Sequence, residues 1–123
     1  MRLALNGLMI LVFVASAWVQ YNDPDPIPWM LMYTAAAFLC VGWTRGWLSR
    51  WWFVGAAVAS LLAALVVVSA APVGVDVWSA VGDWQMNASG SEIIRETGGL
   101  LLVATWMAVL AGWSWAEVRK HPR

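Results

Sequence analysis

The feature that most constrains this chain is a set of four long apolar stretches, none of which contains a charged residue. They cover about residues 3–20, 27–44, 51–71 and 98–116, and the second opens at Pro26 or Pro28. A helix needs about 20 mostly apolar residues to cross the hydrocarbon core of a bilayer. In lipid the backbone must satisfy its own hydrogen bonds, so a helix is the only open element that can span. The reading is therefore all-α: an integral membrane bundle of four transmembrane helices. Charged residues make up only 11% of the 123 residues, against about 25% in a soluble domain. The shortage runs along the whole chain, so residues 1–123 read as one four-helix transmembrane domain.

Arg2, the apolar run behind it and Ala15-Ser16-Ala17 have the form of a secretory signal. We read this segment as a retained first span, because orientation then follows consistently. Cytoplasmic loops carry an excess of Lys and Arg. Arg2, Arg45, Arg50, Arg119, Lys120 and Arg123 all fall on one side of a four-span layout. Asp23, Asp25, Asp76, Asp83, Glu92 and Glu96 fall on the other. Three or five spans would scramble both groups. Both termini are thus expected in the cytoplasm, with the acidic loops outside. The scarcity of Lys beside Arg, with abundant Ala, Gly, Val and Trp, suits the inner membrane of a bacterium. Trp and Tyr collect where lipid meets water. Trp43, Trp47, Trp51, Trp52, Trp113 and Trp115 flank the basic side, and Trp18, Tyr21 and Trp29 flank the acidic side.

Small residues recur every fourth position on two spans: Gly55, Ala59 and Ala63 on the third, and Ala104, Ala108 and Gly112 on the fourth. Such faces let helix backbones approach closely in lipid. They serve either packing inside the bundle or docking of another subunit. In the loop between spans three and four, Val77, Trp78, Val81 and Trp84 share a helical face, which fits a short interfacial helix. Alternation at Val73, Val75 and Val77 fits an extended piece equally.

Several functions are excluded or disfavoured by composition. A balance of seven basic and seven acidic residues gives no nucleic-acid binder. A single Cys40 and a single His121 offer no disulfide, no zinc or iron–sulfur spacing and no catalytic dyad. No cofactor is predicted. Asn6, Thr34, Ser60 and Thr105 are the strongest polar groups within the spans, too few to mark an ion path.

The polar residues gather instead on the acidic side. The first outer loop reads Gln20-Tyr21-Asn22-Asp23-Pro24-Asp25-Pro26-Ile27-Pro28-Trp29. Each proline biases its predecessor to extended backbone, and Asp25 is placed to cap the second span. Before the last span, Ser91-Glu92-Ile93-Ile94-Arg95-Glu96 would put Glu92, Arg95 and Glu96 on one helical face, with Ser89 and Glu92 spaced as a capping box. Asn22, Asp23, Asp25, Glu92, Arg95 and Glu96 then form a candidate cluster. It reads as a hydrogen-bonded knot between loops, or as a site for a lipid headgroup or small polar ligand anchored on Arg95. A hard-cation site on Asp23, Asp25, Glu92 and Glu96 is a third reading.

At these residues the chain resembles the transmembrane protein 220 family. The resemblance rests on Gln20 to Pro26 with Trp29 and Tyr33, and on Arg95-Glu96 with Gly98-Gly99. It extends over nearly the whole chain. It implies a four-helix membrane fold and marks Asn22, Asp23, Asp25, Arg95 and Glu96, without implying a substrate. The expected function is non-catalytic: a structural or accessory subunit within a larger membrane assembly, such as a respiratory or photosynthetic one, partnered by lipids and other subunits. The alternative is a binding module at the outer face. An enzyme using paired carboxylates on a lipid-linked substrate ranks behind both.

Overall fold

A computed structural model describes residues 1–70 and 89–121. Four long helices appear in chain order: α1 (Arg2–Val19), α2 (Pro26–Arg45), α3 (Arg50–Ser69) and α4 (Ser89–Lys120). A 3-10 turn, Gln20–Asn22, follows α1. Among the described residues there is no strand. All four helices are long and apolar enough to cross a membrane. Only 17% to 28% of each span is buried within the protein, so most of the apolar side chains face outward. Leu11, Leu31, Phe38 and Val66 are exposed, an arrangement stable only where the surroundings are themselves apolar.

Three boundaries match the apolar stretches to within two residues. The fourth does not: α4 starts at Ser89 rather than Gly98 and runs 32 residues. At 1.5 Å per residue that is about 48 Å, well beyond the roughly 30 Å hydrocarbon core. Hydropathy alone misses the early turns because only Ile93 and Ile94 among residues 89–97 are apolar. Glu92 in the first turn with Arg119 and Lys120 in the last complements the helix dipole. The expected interfacial helix around Val77 to Trp84, with Asp76 and Asp83, lies outside the described residues.

The chain divides into two compact units, Met1–Val54 with Val109–Arg123, and Gly55–Ala108. In the first, α1 and α2 pair closely. Phe13 is fully buried and stacks on Tyr33, with ring centroids 6.5 Å apart. Ala17, Ala36, Ala37 and Cys40 complete a seam of small residues. Asn6 is fully buried too, and its Nδ2 donates to the Cys40 carbonyl at 2.8 Å and to Thr44 Oγ1 at 2.9 Å. The helix α2 ends on Gly46 in the left-handed region, φ 68°. Trp47 N–H bonds to the Gly42 carbonyl and Gly46 N–H to the Trp43 carbonyl, the paired closure of a Schellman cap. The side chain of Leu48 then lies over Gly42. Among the described residues of the second unit, Ser60 and Ala64 of α3 and Leu100, Val103, Ala104 and Met107 of α4 are buried.

Candidate functional site

The acidic turn after α1 is built on Asp23. Its Oδ1 accepts the Asp25 backbone N–H at 2.9 Å, a local turn that short Asp side chains favour. Asp23 is buried, whereas Asn22 and Asp25 are exposed. The sequence argument placed the capping carboxylate on Asp25. Asp25 does occupy the N-cap position of α2, with prolines in the first turn, but its side chain makes no capping hydrogen bond. Pro26 and Pro28 remove the N–H groups at the first and third helical positions, and the carboxylate two residues earlier orders the turn.

Glu92, Arg95 and Glu96 lie on α4 at the spacing of one helical face. Glu92 is exposed, and Arg95 and Glu96 are half-buried. The possible capping box from Ser89 rests on a side chain outside the described ones. Asn22, Asp23 and Asp25 belong to the first compact unit and Glu92, Arg95 and Glu96 to the second. Among the described residues no group of three or more His, Cys, Asp or Glu is placed to hold a metal ion.

The small-residue faces divide. On α3, Gly55 and Ala59 are exposed and Ala63 is half-buried. On α4, Ala104 is buried while Ala108 and Gly112 are exposed. A methyl group added at Gly55 or Gly112 would meet nothing within 4 Å.

A second polar feature stands within the first unit, where α2 and α4 end and α3 begins. Trp43 and Trp113 pack at 5.5 Å, and Trp51 meets Trp115 edge-on at 5.8 Å. Arg2 lies over Trp113 at 5.4 Å and also stands 3.9 Å from Glu117. Arg50 lies over Trp115 at 3.9 Å and beside Trp51 at 5.8 Å. Trp43, Arg50, Trp51 and Glu117 line a groove of about 630 Å³, together with Ser49, Ser114 and His121. The volume is within the usual range for small-ligand clefts, about 300–1,000 Å³. Arg50 Nε is covered and has no hydrogen-bond partner. An unmet buried donor costs about 1–3 kcal/mol, and more on a charged group. The sequence argument used Arg50 and these tryptophans only to place a membrane boundary. The missed signal was the density of Trp around Arg at the helix ends, since Arg stacks on aromatic faces while keeping its fork of donors.

No curated protein and no solved structure matches the chain. A family model described as "Transmembrane family 220, helix" matches residues 12–112. That match takes in α1 from its middle, the Asp23 turn, α2, α3 and most of α4. With four helices of spanning length and this match over most of its residues, the chain belongs to transmembrane family 220.

Proposed function

We infer that this protein is a non-catalytic membrane module that associates laterally with other membrane-embedded helices, as an accessory or scaffolding subunit. The observation that carries this reading is the exposed small-residue face of α3, Gly55 and Ala59, with open space at the Gly55 Cα. A helix surrounded by lipid alone gains most from large aliphatic side chains. A strip of Gly and Ala gives up that contact, and what it gains is close approach of a second backbone. The basic helix ends support an orientation with both termini in the cytoplasm, and the composition, rich in Arg over Lys and in Ala, Gly and Val, supports a bacterial inner membrane.

The test is extraction of tagged protein into polymer nanodiscs, followed by affinity capture and mass spectrometry. A stoichiometric partner chain, or a second copy of this one, is expected with the wild type. Gly55→Leu with Ala59→Leu should lose it while helicity by circular dichroism is unchanged. Recovery of wild-type protein as a lone monomer would sink the proposal.

A further inference from the structure

The groove lined by Trp43, Ser49, Arg50, Trp51, Ser114, Glu117 and His121 belongs to the first compact unit, whereas Gly55 and Ala59 belong to the second. We propose that this groove binds a phosphate group, supplied by the headgroup of an anionic phospholipid from the leaflet at the basic helix ends.

Three independent observations converge on this. First, Arg50 is a guanidinium with no carboxylate partner: among the described residues its neighbours are the rings of Trp115 and Trp51, and its Nε donor is unmet. Stacking fixes the plane of the group and leaves its fork for an oxyanion, which planar guanidinium recognises by paired hydrogen bonds. Second, the groove's own carboxylate, Glu117, stands 3.9 Å from Arg2, so the acid among the lining residues has a cation of its own. The Ser114 hydroxyl donates to the Leu110 carbonyl at 2.8 Å. Ser49 and His121 at the rim are exposed and able to meet a ligand. Third, the groove lies at helix termini ringed by Trp, the depth at which lipid phosphates sit. Basic pockets among spanning helices at that depth select anionic headgroups. Trp43 and Trp51 give the wall an apolar surface for the glycerol and upper acyl chain.

The experiment uses the full chain in phosphatidylcholine nanodiscs doped with phosphatidylglycerol, read by native mass spectrometry after mild release. Wild type is expected to retain phosphatidylglycerol over phosphatidylcholine. Arg50→Gln should lower that retention about tenfold, the effect of one charge-assisted contact. Ser49→Asp should do the same by placing a negative charge at the rim; Asp at this position preceding α3 is as good a helix N-cap as Ser, which keeps the test alive should Arg50→Gln fail to fold. Arg119→Gln, exposed and outside the groove lining, should retain lipid like the wild type and so separates a site from general surface charge. If both groove variants keep phosphatidylglycerol as well as the wild type, or Arg119→Gln loses it equally, the site is overturned. If phosphatidylglycerol is not retained but inorganic phosphate raises the melting temperature of the wild type and not of the variants, a phosphate site stands and its source is soluble. If neither binds, the proposal fails outright.

Discussion

A fully buried amide, Asn6 on α1, holds two acceptors of α2 at once, the Cys40 carbonyl and Thr44 Oγ1. The Thr44 hydroxyl itself donates to the same carbonyl at 3.2 Å. Interhelical hydrogen bonds in membranes average about 0.6 kcal/mol and reach about 1.7. Two such bonds from one side chain make Asn6→Leu worth about 1–2 kcal/mol, measured as thermal unfolding in detergent by circular dichroism. Thr44→Val should cost less, because Asn6 keeps its bond to Cys40, and a double-mutant cycle should show coupling between the two. Equal stability of Asn6→Leu and wild type would remove the amide from the packing account. Asn6 stands out in the sequence as a polar residue in a span. Its partners do not, because they lie 34 and 38 residues away and only the antiparallel register of α1 and α2 brings them near. The identity of Gly46, by contrast, is dictated locally. At φ 68° any Cβ is strained, and Gly46→Ala should cost about 1 kcal/mol in the same assay.

At the scale of elements, the turn between α1 and α2 depends on which aspartate carries the hydrogen bond. Asp23→Ala removes the acceptor for Asp25 N–H, an expected loss of about 1 kcal/mol. Asp23→Asn keeps a side-chain oxygen and should stay near wild type. Asp25→Ala should change little, since its side chain is exposed and makes no cap. A larger effect at Asp25 than at Asp23 would reverse the assignment. The prolines made a rigid turn legible from sequence. They could not tell the two carboxylates apart, because both precede a proline and differ only in burial. The helix α4 shows the opposite failure. Its core from Gly98 was plain from hydropathy, while of its first nine residues only Ile93 and Ile94 are apolar, too short a run for a search for apolar stretches to register.

For the whole molecule, the layout predicts a topology that can be measured. Single cysteines placed at the N-terminus, near Trp47 and near the C-terminus, in a Cys40→Ala background, should all be labelled by an impermeant maleimide from the same side of sealed vesicles. A cysteine at the exposed Asn22 should be labelled from the other side. Cys40 is buried, so its replacement by a smaller apolar side chain should cost modestly. Labelling of the N-terminus and the Trp47 loop from opposite sides would break the four-span layout. Within one compact unit, Arg2 and Trp43 meet Trp113, and Arg50 meets Trp115, at distances of 3.9–5.5 Å.

Spans, fold class and the family follow from the order of residues alone, because hydrophobic length and the sequestration of backbone polar groups are one-dimensional constraints in a membrane. The interior was decided by tertiary structure: which aspartate orders the turn, which acceptors Asn6 finds, and that Gly55 and Ala59 are exposed while Ala104 is buried. So was the stacking of Arg50 between tryptophans from two different helices. Each of these depends on the rotation and register of one helix against another, and periodicity does not set either in helices that are apolar on nearly every face.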